Sequence, residues 1–183
     1  MSGELQFSMF DTPVGVCGMV WTAQSICRFS LPELSPEATR ERLLRGVSAV
    51  ESEPMGLAVD ARDGVLALLA TGNADLSAIP VSYGALSPFD ISVLETIRPL
   101  APGQTTTYGD IARELGDVAL SQAVGAALGR NPVPVIVPCH RVLGANGKLG
   151  GFSGGQGLPT KRRLLEIERA RTRHERMQPD LFD

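Results

Sequence analysis

The sequence predicts an α/β protein in two parts, a small strand-rich domain over residues 1–85 and a helical domain over residues 86–171, with a tail over residues 172–183. Three observations carry this. The first half holds short, partly alternating apolar runs separated by turn residues. From Ser87 onward, helix-capping signals and one-sided apolar faces take over. The charge balance changes at the same place. Residues 1–85 carry 5 basic and 10 acidic side chains, residues 86–171 carry 10 and 7, and the last twelve carry 2 and 3.

The runs "ELQFSMF", "GVCGMVWT" and "SICRFSL" read as three strands. "SPEATRERLLRG" reads as a helix: Ser35 caps, Pro36 suits the first turn, Glu37 favours the positive end and Gly46 stops it. "GVLALLATG" fits strand or helix, and "AIPVSYGAL" reads as a strand leading into a connection. In "SPFDISVLETIRPL", Ser87 caps a helix with Phe89, Val93 and Ile97 on one face. "APGQTT" is a breaker-rich link. "TYGDIARELG" is a helix capped by Thr107 and stopped by Gly116, with Ile111 and Leu115 inward. With "LSQAVGAALG" it forms a helix-turn-helix, whose second helix is rich in small residues. That composition suits either close helix packing or close approach to a nucleic-acid backbone. Asn131-Pro132 marks a turn. "VIV" is a short buried strand or extended segment, and "GANGKLGGFSGG" a hairpin or an active-site loop. "TKRRLLEIERARTRHER" is a last amphipathic helix, with Leu164, Leu165 and Ile167 inward.

No apolar run reaches the length of a membrane span. The start lacks a basic-then-apolar leader pattern, so the expectation is a soluble, cytoplasmic protein. In that reducing compartment Cys17, Cys27 and Cys139 are free thiols. They show no C-x-x-C spacing, and only His140 and His174 could join them, so no metal site is expected. Cys17, Cys27 and Trp21 read as core. The net charge of −3 speaks against nucleic acid, but the cationic surplus lies in the half that contains "PCHR".

Cys139 fits four roles: filler, metal ligand, disulfide partner or nucleophile. A nucleophilic cysteine must become thiolate, so it needs an electropositive neighbour or a base. His140 is adjacent, but neighbouring side chains on an extended strand point apart, so contact needs a turn or a bridging water. A histidine base works better when a carboxylate orients its other nitrogen, and Glu166 and Glu168 are available. Against this, cysteine is among the most buried residue types, and an inert core thiol satisfies the same residues.

The wider context resembles one family. "TYGDIA", "AVGAALGRNP", "IVPCHRV", "GFSGG" and "TKRRLLEIE", over about Ser87 to Glu168, are similar in order and spacing to the O6-alkylguanine-DNA alkyltransferases, or methylated-DNA–protein-cysteine methyltransferases. The resemblance implies a ribonuclease-H-like first domain and a winged-helix-like second. It implies that Cys139 accepts the alkyl group from O6-alkylguanine, or O4-alkylthymine, in double-stranded DNA. His140 would draw the thiol proton through a water, Glu168 would orient His140, and Asn131 would brace the turn carrying this segment. Tyr108 would crowd the phosphate beside the target and, with Lys161, donate to the leaving guanine. The backbone at Cys139 and Val142 would read the base edge, the Ser153 amide would meet O6, and Phe152 and Pro134 would complete the base pocket. Gln122, Ala123, Gly125, Ala126, Arg130 and Arg141 would face DNA. No cofactor is implied, and each molecule, a monomer, would act once.

Gln122 stands where the family usually has an arginine, and Phe152 where a tyrosine is frequent before "SGG". Two rivals follow: a lesion sensor that binds without transfer, and a cysteine-dependent transferase with a substrate other than duplex DNA. The tail "QPDLFD" resembles the peptide by which bacterial DNA-handling proteins dock on the sliding clamp, with Leu181 and Phe182 filling an apolar pocket and Gln178 fixing register.

Overall fold

The computed structural model describes residues 4–170. Three strands form an antiparallel meander: β1 (Gln6–Thr12), β2 (Gly15–Trp21) and β3 (Ile26–Ser30). β1 and β2 pair from Gln6↔Trp21 to Thr12↔Gly15, and Gly15 takes φ +120° at the turn. β2 and β3 pair with a bulge between Val20 and Trp21. The short β4 (Val50–Glu51) adds parallel to β1, giving a mixed sheet in the order β3-β2-β1-β4.

Alternation along the strands divides the buried residues between two faces. Phe7 and Val20 point to one face, against Leu43 of α1 (Pro36–Leu44). Cys17, Met19 and Trp21 point to the other, into a core with Ala58, Ala61, Val65 and Leu68 of α2 (Leu57–Thr71). That core continues into residues of the second half, among them Val93, Ile111, Val124 and Val142. Cys17 and Trp21 are buried as expected, whereas Cys27 lies half-buried at the margin of the smaller cluster.

The start of α1 follows the sequence: Ser35 accepts from the Ala38 amide at 3.2 Å, and Pro36 opens the helix. The segment that fitted strand or helix is the second half of α2. Its period becomes clear once "LAVDARD" is included, because Ala58, Ala61, Val65, Leu68 and Leu69 all face the core. The expected strand "AIPVSYGAL" is reduced to a single bridge, Ile26↔Val81. Pro80 has no amide to donate, so the contact stops after Ile26 N–H to Pro80 O and Ser82 N–H to Ile26 O, each 2.9 Å.

In the second half, α3 (Pro88–Ile97) is capped by Ser87, and α4 (Tyr108–Glu114) by Thr107. A turn at Gly116, a 3₁₀ turn at Val118–Leu120 and α5 (Ser121–Gly129) complete the helix-turn-helix. The β5 pair Thr106–Thr107 runs parallel to β6 (Val142–Leu143), with Thr106↔Val142 and Thr107↔Leu143. This ladder fixes the start of α4 beside the segment that carries Cys139. "VIV" is buried but forms no ladder. Pro132, Pro134 and Pro138 interrupt its donors, and Val135 sits at φ +75°. "GANGKLGGFSGG" is a loop containing a 3₁₀ turn at Ala145–Gly147. The last helix, α6 (Leu158–Ile167), ends at Glu168, with Arg169 at φ +54° and the Ala170 amide returning to Leu165 O. Its expected continuation past residue 170, His174 and the tail with Gln178, Leu181 and Phe182 lie outside the described residues. Among the described residues no helix is long and apolar enough to cross a membrane.

Candidate active site

The site assembles at the 3₁₀ turn Cys139–Arg141. This turn rotates successive side chains away from the strict alternation of a strand, so Cys139, His140 and Arg141 are all buried yet meet different partners. His140 Nε2 lies 2.8 Å from Glu168 Oε1. With Glu168 ionised, Nε2 carries the proton and donates, which leaves Nδ1 as the acceptor. Nδ1 is buried and makes no hydrogen bond to any described group.

Glu168 is the hub. Its carboxylate also accepts from Arg141 Nη2 on Oε1 and from Arg141 Nε on Oε2, both at 2.8 Å, and from the Gly103 amide on Oε2 at 3.1 Å. Burial pushes its pKa up, but the hydrogen bonds from His140 and Arg141 and the Arg141 charge outweigh burial and hold it at about 2. Burial moves the His140 pKa down, and Glu168 only partly offsets it, so the imidazole is neutral. Burial likewise raises the Cys139 thiol, with Asn131 and the Lys161 charge acting in the other direction. A neutral thiol beside a neutral imidazole is a nucleophile that is armed only when its proton is taken. Cys17, by contrast, is pushed up to about 12 by burial and is inert.

Asn131 ties the preceding turn together. Its Nδ2 donates to Val137 O at 2.8 Å and its Oδ1 accepts from the Val133 amide at 3.0 Å. Pro134 bridges to Val137 inside that turn.

Cys139 faces a cavity of about 490 Å³ lined by Tyr108, Gly125, Leu128, Gly151, Phe152 and Ser153 among others. Gly151 O accepts from Tyr108 Oη and from Lys161 Nζ, both at 3.2 Å. Lys161 is fully buried and also donates to Val142 O at 2.6 Å. Burial lowers the Lys161 pKa to about 8. A second cavity of about 250 Å³, with Pro134, Arg28 and Arg42 in its lining, also includes Cys139. Ser153, where the two cavities meet, holds the wall: its Oγ donates to Gly129 O at 3.2 Å, and Arg42 of α1 donates to its carbonyl.

On α5, Gln122, Ala123 and Ala126 are exposed or half-buried and Gly125 is half-buried, whereas Val124, Ala127 and Leu128 face the core. The outer face is therefore a strip of small side chains with Gln122 at its start. Two expected DNA contacts are placed otherwise. Arg141 is a correction: its side chain is 5 % exposed, paired with Glu168 and donating to Leu100 O, so it has no surface to offer a phosphate. Arg130 is half-exposed but committed to Asp90 through Nε at 3.0 Å and Nη2 at 2.7 Å. Sequence reasoning missed Arg42, Asp90 and Gly103. Arg42 meets Ser153 across 111 positions, and no local signal marks such a pairing. The glycine in "APGQTT" reads only as a breaker. Among the described residues no group of three or more His, Cys, Asp or Glu is arranged to hold a metal ion.

Comparison with known proteins agrees with this geometry. A family model described as the 6-O-methylguanine DNA methyltransferase DNA-binding domain matches residues 88–170. The methylated-DNA–protein-cysteine methyltransferase of Methanosarcina acetivorans is 49% identical over 80 residues, 44% of this chain and 50% of that protein. The chain thus spans about half the length of such curated relatives. A "DNA base-flipping protein" of Thermus thermophilus is 42% identical over 114 residues, 62% of this chain and 75% of that protein. A single-residue variant of the Mycobacterium tuberculosis O6-methylguanine methyltransferase superposes with a TM-score of 0.72 at 29% identity, covering 98% of this chain and 99% of that one. The M. tuberculosis protein crystallised with DNA gives 0.70 at 28%, covering 90% and 93%. With the Cys139-His140-Glu168 constellation, a shared α/β fold and these identities, the chain belongs to the O6-alkylguanine-DNA alkyltransferase family.

Proposed function

We propose that the protein reverses O6-alkylguanine damage in DNA by moving the alkyl group irreversibly onto Cys139. The observation that carries this is Cys139 in the lining of a cavity of about 490 Å³, next in sequence to a His140 whose Nε2 is held by Glu168. Nδ1 of His140 takes the thiol proton through a water. The sulfur attacks the alkyl carbon, the carbon–O6 bond breaks, and its electrons remain on guanine. Tyr108 Oη or Lys161 Nζ returns a proton to the leaving base. The product thioether is not readily reversed, so each molecule acts once, and no step requires a cofactor. O4-alkylthymine presents the same kind of alkyl–oxygen carbon and is a second candidate substrate.

The target lies inside the duplex and must leave the stack at a cost of roughly a few kcal/mol. The outer strip Gln122, Ala123, Gly125 and Ala126 supports close approach to a groove, with Gln122 filling the space of the departed base. Phe152 and the Ser153 amide form the cavity wall that meets the base. In this reading residues 1–85 are a ribonuclease-H-like domain and residues 86–171 a winged-helix-like DNA-binding and acceptor domain. The protein works as a cytoplasmic monomer, and Gln178, Leu181 and Phe182 dock it on a sliding clamp. A clamp pull-down with and without residues 178–183 tests the last point, and equal recovery ends it.

The deciding experiment is an intact-mass measurement after mixing with duplex DNA that carries one O6-methylguanine. One added methyl, absent from Cys139→Ala, is expected. One alternative is a sensor that binds the lesion without transfer. Lesion binding by folded protein with no added mass would establish that alternative.

A further inference from the structure

The end of α2 contains no reacting group, yet it touches the residue that orients the base. Gly72 closes α2 at φ +71°, and its amide donates to Leu68 O at 2.7 Å. A Cβ placed on Gly72 would overlap the Ile167 carbonyl oxygen outright, and would lie 2.8 Å from that carbonyl carbon and 3.2 Å from Glu168 Cα. These are backbone atoms, so no side-chain rotation relieves the overlap. Gly103 makes the matching contact from the other side. Its amide donates to Glu168 Oε2 at 3.1 Å, and a Cβ there, at φ +80°, would lie 3.0 Å from Glu168 O.

The end of α6 has little freedom to absorb a shift. Glu168 N–H bonds to Leu164 O, Arg169 N–H to Glu166 O and Ala170 N–H to Leu165 O, at 3.1, 3.0 and 2.9 Å. The carboxylate is saturated too, with His140 and Arg141 on Oε1 and with Arg141 and Gly103 on Oε2. Moving the Ile167–Glu168 peptide therefore moves the carboxylate relative to His140.

We propose that Gly72, together with Gly103, is a positioning residue for the His140–Glu168 pair, so that the end of α2 in the first half of the chain takes part in setting the geometry of the proton relay serving Cys139. This rests on the reading of Cys139 as the reacting thiol and His140 as its base. The charged and titratable groups around the relay are Arg141, Lys161 and Tyr108, with Asp75 facing Arg141 from the segment after α2. A Gly72 substitution changes none of these charges, so an altered pH profile reads geometry.

The test is the rate at which iodoacetamide alkylates Cys139 as a function of pH, read on the Cys139 peptide by mass spectrometry in the full chain. The new sulfur–carbon bond displaces iodide, and the thiol proton passes to His140 and then to solvent. Wild type, Gly72→Ala, Glu168→Gln and the double variant are compared. Gly46→Ala is the strain control, because Gly46 has φ +69° and a Cβ added there would meet nothing within 4 Å. Gly72→Ala is expected to react about tenfold more slowly at neutral pH, since a displacement on the order of 1 Å costs up to ~100-fold. Its profile should move to higher pH, in the direction of Glu168→Gln, and the double variant should add little to Glu168→Gln alone. Gly46→Ala should follow wild type. A folded Gly72→Ala protein with the profile of Gly46→Ala overturns the proposal, as does a double variant with fully multiplicative effects. If Gly72→Ala does not fold, Gly103→Ala carries the same comparison with the same two outcomes. Iodoacetamide contains no guanine, so this result is independent of transfer from O6-methylguanine, and either idea can fail without the other.

Discussion

Glu168 and His140, 28 positions apart in sequence, meet at 2.8 Å with both side chains buried, and the same carboxylate is clamped by Arg141. One ion therefore serves two purposes: it orients an imidazole, and it neutralises a buried guanidinium.

Removing that ion should be costly in both respects. Glu168→Gln leaves Arg141 buried without its anion, a loss of roughly 3–5 kcal/mol, and slows Cys139 alkylation. In wild type the folded carboxyl has a pKa of about 2 against an ordinary carboxylate value when unfolded. The stability from this shift is fully present above the unfolded pKa and is lost as pH falls toward about 2. It amounts to about 3 kcal/mol, from ~1.4 kcal/mol per pKa unit. Urea unfolding of wild type and variant between neutral and strongly acidic pH should show the gap closing in that window.

Lys161 should show a pH dependence of the same sign in a higher window. Its folded pKa is depressed to about 8 by burial, so above that value the unfolded chain holds a proton that the folded chain has lost. The contribution of Lys161 to stability therefore rises with pH, by at most ~1.4 kcal/mol per unit, until the unfolded lysine titrates at ~10.4. Compared with Lys161→Met, wild type should gain stability steadily between pH 8 and that point. A constant difference between the two denaturation curves across that range refutes the assignment.

Asn131 satisfies one carbonyl and one amide inside a turn that cannot use a strand ladder. Asn131→Ala should cost about 1–3 kcal/mol, because it orphans the Val133 amide while Val137 O keeps its bond from the Cys139 amide. The Val133–Val137 turn would loosen with it. The measurement is the chemical denaturation midpoint together with the rate of Cys139 labelling. A midpoint equal to wild type would show that the turn holds without its side-chain brace.

Gln122 lies exposed at the start of α5. Gln122→Arg adds a cation to the strip of small residues without disturbing the core. Duplex affinity should rise, and the slope of log K against log salt should steepen by roughly 1. Arg141→Ala should leave that slope unchanged while lowering stability, because Arg141 is buried on Glu168.

Much of this was legible in the sequence because it is local. Ser35, Ser87 and Thr107 cap the helices that their positions predict, since a cap needs only the three residues that follow it. The motifs "TYGDIA", "PCHRV" and "TKRRLLEIE" group Cys139, His140 and Glu168 through their resemblance to one family, and His140 and Glu168 do meet at 2.8 Å. The misread segments fail for physical reasons: "AIPVSYGAL" has strand composition, but Pro80 offers no donor, and "VIV" is apolar, but its flanking prolines forbid a ladder.

The sequence by itself determined the helices that frame Cys139 and His140, because capping and helical periodicity are properties of short windows, and its resemblance to one family singled out those two residues. Only the tertiary structure decided that Arg141 turns inward to Glu168, that Arg130 is claimed by Asp90, and that Arg42 and Gly72 of the first half reach the site at Ser153 and Glu168. These contacts depend on where an arginine finds its anion or a glycine admits a neighbouring backbone. Both are set by packing between segments that lie far apart in the chain.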